Sequence, residues 1–216
     1  MSMKTAKIAS LAIALLGAIG CTKSIVTNNS ATTLKQVNAS TFRITAQKAG
    51  DLLSLNLSDA ENKALIATMA TQLLSLVAQH NNADFRVIID GRSNPFHMDV
   101  VLFPASTPPN NGSCAFCQRT FRGAVRNEDS DTIAVEKSNP ARQPIDFLII
   151  PKQHVVNYKD RNFTSAILIG QLIMAQKQAR KLANPHDFLL QVNNGANAYQ
   201  TVFHSHMHFS SDSRWK

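Results

Sequence analysis

The chain has 216 residues, of which 44% are hydrophobic, and its formal net charge is +8. This length accommodates one domain or one domain with an extension, and the apolar fraction is sufficient for a packed core. Aromatic residues are not interleaved with basic runs, so the charge indicates no nucleic-acid groove and only a general attraction for phosphates.

Residues 1–21 have the pattern of a signal peptide. Two lysines precede Ile8 to Gly20, an apolar stretch of 13 residues that is too short to span a bilayer. The small residues before Cys21 resemble a bacterial lipoprotein signal, in which the lipidated cysteine anchors the chain to the membrane. Ordinary secretion and an uncleaved anchor are the alternatives. Thr22 after this cysteine resembles an outer-membrane sorting signal, so we expect an exported protein of the periplasm or cell envelope.

Residues 22–50 are polar, and their composition predicts a tether with a short strand at Thr41 to Thr45. Residues 51–105 are predicted to form an extension whose role the sequence does not reveal. A capping-box pattern at Ser58 to Glu61 predicts a helix that ends near Gln79. Its predicted core stripe is Leu65, Met69, Leu73 and Leu76, and strands are predicted at Phe85 to Ile89 and Met98 to Phe103.

Pro104 to Ser113 is rich in proline, asparagine and glycine and is the predicted boundary before a domain at 106–216. Directly after it, Cys114 and Cys117 are separated by two residues. This spacing is typical of a redox pair, a disulfide or half of a zinc site. A redox pair belongs at a strand-to-helix junction that the surrounding pattern does not predict, whereas a disulfide suits an oxidising compartment.

The rest of the domain alternates strands with one long helix. The helix is predicted over Asn162 to Ala183, with Asn184-Pro185 ending it. Its predicted inward stripe is Ile169, Leu172, Ile173, Gln176, Ala179 and Ala183. The predicted strands are Thr132 to Val135, the buried run Phe147 to Ile150 before Pro151-Lys152-Gln153-His154, and Phe188 to Val192.

Three histidines alternate with other residues near the end of the chain. His204, His206 and His208 lie within a run whose intervening positions include Phe203, Met207 and Phe209. Period-2 alternation predicts a strand, with its histidines on one face about 7 Å apart and the apolar side chains in the core. A histidine-rich, metal-binding tail is the alternative. A row of imidazoles suits one shared task as nucleophile, orienting group and proton donor.

Four motifs occur in order: Cys-Ala-Phe-Cys at 114–117, Phe-Leu-Ile-Ile-Pro-Lys-Gln-His at 147–154, Asn193, and Gln-Thr-Val-Phe-His-Ser-His-Met-His at 200–208. Together they resemble the histidine triad (HIT) family, in its Hint-like branch. The resemblance implies an α+β fold with an antiparallel sheet and one long helix. It also implies that the domain usually forms a homodimer. An N-terminal α/β extension would precede it.

The resemblance also implies site residues. His206 would attack the α-phosphorus of a purine nucleotide or nucleoside phosphoramidate and form a nucleotidyl-histidine intermediate. His204 and His208 would orient the ring and bind phosphate oxygens. The implied phosphate contacts are Asn193, Gln200 and Thr201, and the implied zinc ligands are Cys114, Cys117, His154 and His204.

The chain departs from the family pattern around the nucleoside. Lys137, preceded by Glu136, stands where the family has a ribose-binding aspartate, and Tyr199 replaces a glycine. Three functions remain open. The first is a nucleotide hydrolase or transferase, and the second is a catalytically weak or inactive, zinc-stabilised module that binds a ligand or partner at the envelope. The third is a metal-binding protein that uses all three histidines.

Overall fold

The computed structural model describes residues 27–29, 31–107, 113–121, 123–137 and 145–214. The predicted signal peptide and Cys21 lie outside the described residues, as does part of the predicted boundary. Within the described ranges, the helices are too short or too polar to cross a membrane.

The described chain forms one antiparallel sheet of ten strands with two α-helices, which confirms the predicted α+β class. The helices are α1 (Ala60–Gln79) and α2 (Ser165–Ala179). The strands are β1 (Thr27–Asn29), β2 (Thr32–Gln36), β3 (Thr41–Ala46), β4 (Asp84–Asp90), β5 (His97–Phe103), β6 (Val125–Glu128), β7 (Thr132–Glu136), β8 (Ile145–Pro151), β9 (Leu189–Asn194) and β10 (Met207–Ser211).

The sheet consists of two halves with the same topology. In the N-terminal half, residues 27–103, three strands precede α1 and two follow it, and the strand order is β1-β2-β3-β5-β4. In the C-terminal half, residues 125–211, the order is β6-β7-β8-β10-β9, with α2 in the equivalent place. The predicted tether and the predicted extension of unknown role therefore together repeat the topology of the domain that follows them.

The two halves join through β4 and β9. These strands pair antiparallel from Phe85 opposite Asn194 to Asp90 opposite Leu189. One hydrophobic core underlies both halves, since Phe42 and Phe85 belong to the same buried cluster as Phe147 and Phe209. Because strand β4 covers the outer edge of β9, a second chain has no access to that edge. The predicted homodimer stays a prediction.

The segment predicted as a tether contributes strands β1 to β3 instead. Leu34, Phe42 and Ile44 are buried, and β3 pairs with β5 across five residue pairs. The apolar residues of this segment are few, but they fall on alternate positions and face the core. Burial of apolar surface stabilises a fold by about 25 cal/mol per Å². A few buried apolar side chains therefore let a mostly polar segment join a sheet that already exists.

The helices follow their predicted patterns with differences at their ends. Helix α1 begins at Ala60 with Asp59 as its N-cap, and no side chain bonds to the cap amides, so the predicted capping box does not form. Leu65 is only partly buried and Ile66 takes its place in the core. Helix α2 is shorter than predicted and ends at Ala179. Ala183 lies beyond the helix and is exposed, and its N–H donates to the Arg214 carbonyl instead of to a helical carbonyl.

A buried carboxylate links the N-terminal half to the loop that precedes the histidines. Asp84 of β4 is fully buried. It accepts hydrogen bonds from Lys159 Nζ at 2.7 Å, Ser106 Oγ at 2.5 Å and the Asn197 backbone N–H at 3.0 Å. Gly195 has φ +96°, and a Cβ there would lie 2.1 Å from this carboxylate. Only glycine therefore lets the loop approach so closely.

Asp84→Asn is expected to destabilise the fold by about 2 kcal/mol, because a hydrogen bond to a charged group contributes roughly 1.5–3 kcal/mol. Burial tends to raise the pKa of Asp84, but the bonds from Lys159 and Ser106 outweigh burial and hold this pKa below its usual 3.8. The contribution is therefore present above pH 4 and is lost as the pH falls through the lowered pKa.

Urea unfolding of wild type and Asp84→Asn between pH 7 and pH 3 measures this contribution. The difference in unfolding free energy should be largest near neutrality and shrink below about pH 4. Asp90→Asn is the matched control, since Asp90 pairs with Arg92 at the surface, where a pair contributes about 0–1 kcal/mol. Equal losses in the two variants would contradict a structural role for the buried carboxylate.

Candidate functional site

The histidine run is only partly a strand, and the prediction of a continuous strand through it is wrong. Strand β10 begins at Met207, so His204 and His206 lie in the loop before it. Met207 and Phe209 are in the core as predicted, whereas Phe203 is only partly buried. The loop leaves the sheet because Ser205 donates its backbone N–H to the Val155 carbonyl, at 2.6 Å, rather than to a neighbouring strand.

His206 is held as a neutral ring with one defined tautomer. It is 4% exposed, and its Nδ1 lies 2.8 Å from the carbonyl oxygen of His204. A carbonyl only accepts, so Nδ1 carries the proton and Nε2 keeps its lone pair. Burial is the main cause that lowers the pKa of His206, and the charge of Lys137 lowers it further. An unprotonated Nε2 at neutral pH is a nucleophile.

His208 lies beside His206 on the open face of the sheet, opposite the helices. The centroids of the two rings are 5.0 Å apart. Burial lowers the pKa of His208 to about 3, with contributions from His206, Lys137 and Arg86. His208 is therefore neutral at pH 7, able to hydrogen-bond a phosphate oxygen but a poor source of a proton.

Four side chains from three separate segments form a cluster that could hold a metal ion: Cys114, Cys117, His154 and His204, with all ligand atoms within 4.8 Å of one another. His204 Nδ1 lies 3.3 Å from Cys114 Sγ and 3.5 Å from Cys117 Sγ, and His154 Nδ1 lies 3.1 Å from Cys117 Sγ. Tetrahedral zinc, with bonds of roughly 2.0–2.3 Å, separates its ligand atoms by about 3.5 Å, so this donor set fits. The two cysteines are free thiols, not a disulfide.

His204 belongs to this cluster and has no nitrogen left for a substrate. Its Nε2 lies 2.8 Å from the Pro151 carbonyl, which fixes the tautomer and points Nδ1 at the thiols. His206 and His208 are not part of the cluster within the described ranges, so the three histidines do not form one metal site. His204 instead supplies the carbonyl that orients His206.

Phe116 connects the cysteine–histidine cluster with the buried His206. It lies between the two cysteines, and its ring contacts His206 edge-on at 5.3 Å and His204 at 5.7 Å between centroids. The cysteine loop therefore covers the buried imidazoles with an aromatic side chain. Ordering this loop, by a metal or otherwise, also orders the surroundings of His206.

Of two predicted phosphate contacts, Gln200 holds the local backbone and Thr201 is exposed. Gln200 is 3% exposed. Its Oε1 accepts from the Gly195 N–H at 2.8 Å, and its Nε2 donates to the carbonyls of Val156 at 2.6 Å and Val202 at 3.1 Å. Thr201 is exposed. The predicted phosphate contacts of Gln200 and Thr201 stay predictions.

The third predicted contact, Asn193, bonds to a residue that the sequence did not indicate. Asn193 Oδ1 accepts from Gln191 Nε2 and from Arg86 Nε, each at 3.0 Å. Arg86 lies on β4, in the N-terminal half, 107 residues from Asn193 along the chain. The predicted phosphate contact of Asn193 also stays a prediction. The bond from Arg86 to Asn193 places a guanidinium next to the site.

A second cation lies on the other side of the histidines. Lys137 Nζ is 2.5 Å from Asp146 Oδ1, and the Asp146 side chain is 6% exposed. Glu136, the neighbouring acid, pairs with Arg126 instead. The position where the resemblance places a ribose-binding carboxylate is therefore occupied by a lysine–aspartate pair.

The fold and the site define a histidine-triad type of protein, and the comparisons agree. The model of the HIT domain matches residues 122–213. An uncharacterized HIT-like protein of Synechocystis is 34% identical over 92 residues, which are 42% of this chain and 80% of that protein. The chain belongs to the HIT family.

Two solved structures show the extent of the similarity. A HIT family hydrolase from Clostridium thermocellum is 36% identical over 47% of this chain and 92% of its own, with a TM-score of 0.41. A GALT-like protein from Arabidopsis thaliana is 16% identical, with a TM-score of 0.56 over 82% of this chain and 66% of its own. The similarity to the Arabidopsis structure extends beyond the HIT domain and covers much of the N-terminal half.

Proposed function

We propose that the protein is a nucleotide hydrolase or transferase in which His206 attacks the α-phosphorus of a purine nucleotide or nucleoside phosphoramidate. The observation that carries this proposal is the His206 ring: buried, neutral, and held through Nδ1 by the His204 carbonyl so that Nε2 keeps its lone pair. Burying an imidazole costs free energy unless both of its nitrogens have hydrogen-bond partners. A buried histidine of this kind is therefore expected to serve a function.

The reaction proceeds in two displacements. A bond forms from His206 Nε2 to phosphorus as the bond to the leaving group breaks. The leaving group takes the bonding electron pair and, where it is an amine, a proton from solvent. Water then attacks the nucleotidyl-histidine, the bond from Nε2 breaks, and a nucleoside monophosphate leaves with the added hydroxyl while the other proton of the water passes to solvent. Two easier steps replace one difficult step. His208 lies beside the reacting ring, and Lys137 adds positive charge near the developing negative charge.

We also propose that the cysteine–histidine cluster binds zinc in the Hint-like manner. Two thiolates and two imidazoles suit zinc, which when bound supplies a structural link between the start of the domain and its reactive loop. The protein's own groups complete this arrangement. Pro151 fixes the His204 ring, and the His204 carbonyl fixes His206.

The membrane and envelope assignments are proposals too. They rest on the sequence of residues 1–21, with lipidated Cys21 as the anchor, and on the outer-membrane resemblance at Thr22. Labelling cells with a radioactive fatty acid, with and without Cys21→Ala, tests this anchor.

The second candidate function is a zinc-stabilised module that binds a ligand or partner without catalysis. The observation that favours it is the Lys137–Asp146 pair at the expected ribose position, together with Tyr199, which is 69% exposed at the rim of the site. These residues change the surface that recognises a nucleoside while the histidines stay in place.

A covalent intermediate separates the two candidate functions. Wild-type protein incubated with adenosine 5′-phosphoramidate and quenched in acetonitrile at high pH, where a phosphorylated imidazole survives, is expected to gain the mass of one adenylyl group. Peptide mapping should place this group on His206. If the metal content and the folded spectrum are normal and neither adduct nor turnover is found, the binding module is the better description.

A further inference from the structure

The peptide unit between His204 and Ser205 is held by hydrogen bonds at both of its ends. Its carbonyl, from His204, accepts from Nδ1 of His206 at 2.8 Å. Its N–H, from Ser205, donates to the carbonyl of Val155 at 2.6 Å. Because a peptide unit is planar and its C=O and N–H point in opposite directions, the position of the Val155 carbonyl sets the direction of the carbonyl that holds the His206 ring.

That carbonyl belongs to a loop, the 155–160 loop, whose own hydrogen bonds make it stiff. The Asp160 carboxylate accepts from the N–H of Val156 at 2.9 Å. The Asn157 side chain accepts from the N–H of Lys159, also at 2.9 Å. Both bonds run within the loop, so a displacement of Lys159 is passed on to the start of the loop.

The Lys159 side chain fastens this loop to the N-terminal half. Its Nζ lies 2.7 Å from Oδ1 of Asp84 and donates to the carbonyls of Asn82 at 3.2 Å and Ala83 at 3.4 Å. The Asp84 side chain is fully buried, and that of Lys159 is 21% exposed. Separating a buried ion pair leaves each charge without its partner, so the loop is held firmly against strand β4.

The same carboxylate also holds the loop that carries the histidines. Asp84 accepts from the Asn197 N–H in that loop at 3.0 Å. Within the same loop, Gln200 accepts from the N–H of Gly195 at 2.8 Å, and it donates to the carbonyl of Val156 in the first loop at 2.6 Å. One acidic side chain of the N-terminal half therefore fixes both of the loops that surround the buried imidazole.

We propose that Asp84 and Lys159 are positioning residues for His206. The ion pair fixes the 155–160 loop, the loop orients the peptide that follows His204, and that peptide holds the His206 ring with Nε2 free to attack. This role rests on the nucleotidyl transfer proposed above, and it requires no contact between the N-terminal half and the substrate.

Such a positioning role predicts a loss of rate without a loss of binding. Attack needs Nε2 directed at the phosphorus, and a misplacement of about 1 Å can lower a rate about 100-fold. Asp84→Asn/Lys159→Met removes both charges and so leaves neither of them buried alone. In this double variant the rate constant of adenylylation by adenosine 5′-phosphoramidate is expected to fall about 100-fold, whereas the dissociation constant for AMP should stay within about twofold of wild type. Rapid quench and calorimetric titration, both well below the Tm of the variant, measure these two quantities.

The Nδ1–H proton of His206 gives a second readout, which needs no activity. In protein labelled with ¹⁵N-histidine, the signal of this proton is identified by its absence from His206→Asn. Its exchange with solvent is expected to be about tenfold faster in the double variant than in wild type, because the His204 carbonyl that accepts from it is no longer held in place. A merely structural role of the ion pair, away from the ring, would not change this exchange rate.

Lys177→Met is the matched control. Lys177 also pairs with a partly buried carboxylate, that of Asp129 at 3.0 Å, but it lies on α2, outside both loops. Its rate of adenylylation and its proton exchange should equal those of wild type. The milder variant Lys159→Gln leaves Asp84 with its other hydrogen bonds and should show both effects at a smaller size, so the test remains available if the double variant does not fold.

Three results would overturn the positioning role. The first is a double variant with the rate and the proton exchange of wild type. The second is a fall in rate while the exchange of the His206 proton is unchanged. The third is an affinity for AMP that falls by the same factor as the rate, because a general loss of structure would then explain both.

The adenylyl adduct on His206 is measured separately, so the two proposals can fail separately. A wild type that forms no adduct, but whose Nδ1–H proton is protected only while the Asp84–Lys159 pair is intact, would retain the positioning of the ring and reject the nucleotidyl transfer. An adduct whose rate of formation and whose proton exchange are independent of the pair would retain the chemistry and reject the positioning role.

Discussion

Replacing His206 with asparagine is expected to lower the turnover of a nucleoside phosphoramidate or diphosphate by about 10⁴-fold or more, since removing a nucleophile that acts as part of a unit has effects of this size. The fold and metal content should be unchanged. The introduced amide side chain would still donate to the His204 carbonyl, as Nδ1–H of His206 does in wild type at 2.8 Å. It would have no lone pair on nitrogen with which to attack phosphorus.

His97→Asn is the matched control for this experiment. His97 lies at the start of β5, on the open face of the N-terminal half, in the element that corresponds to β10. It contacts Ser93 and the Pro95 carbonyl and none of the residues around His206. Turnover should stay within about twofold of wild type. A His206→Asn enzyme that keeps a tenth of its turnover would show that another group is the nucleophile.

The members of the cysteine–histidine cluster could be picked out from the sequence because each lies in a motif that is local in sequence. The two cysteines and His154 lie in short runs of unmistakable spacing, and the structure brings them together with His204. The strand prediction for His204 and His206 was wrong for a tertiary reason. Alternation predicts a strand from the side chains alone, but Ser205 bonds to Val155 of another loop, so the chain there is not part of the sheet.

The role of the N-terminal half could not be predicted from local patterns. Its strands repeat the topology of the C-terminal half, but at the face where β10 carries His208, β5 carries His97, Asp99 and Val101. Core alternation is common to most strands and does not reveal a repeat. Arg86 meets Asn193 only through the pairing of β4 with β9, which joins residues more than 100 positions apart.

The second large effect that we expect comes from removing the two thiols of the proposed zinc site. Cys114→Ser/Cys117→Ser should reduce bound zinc from one per chain to none and destabilise the fold by about 4 kcal/mol or more, because the free energy of binding a structural zinc is also free energy of folding. For a chain of this size that corresponds to a fall in Tm of about 10 °C. Elemental analysis and thermal unfolding measure the two quantities.

The same variant should also lose nucleotidyl transfer, because the cysteine loop and His204 hold the His206 ring in place. His204 contacts both thiols and carries the carbonyl that orients His206, and Phe116 between the cysteines packs on the His206 ring. Without the ligands, His206 loses its fixed tautomer and its cover, so the rate constant of adenylylation should fall more than the affinity for the nucleotide.

A strong chelator is the control for the loss of the side chains themselves. It should lower the Tm of wild type to that of the double variant and leave the double variant unchanged, and added zinc should restore wild type alone. Wild type that contains no metal and has two fewer free thiols than its reduced form would instead establish a disulfide between Cys114 and Cys117. In that case the pair would order the loop covalently, and the dependence of His206 on a metal would be refuted.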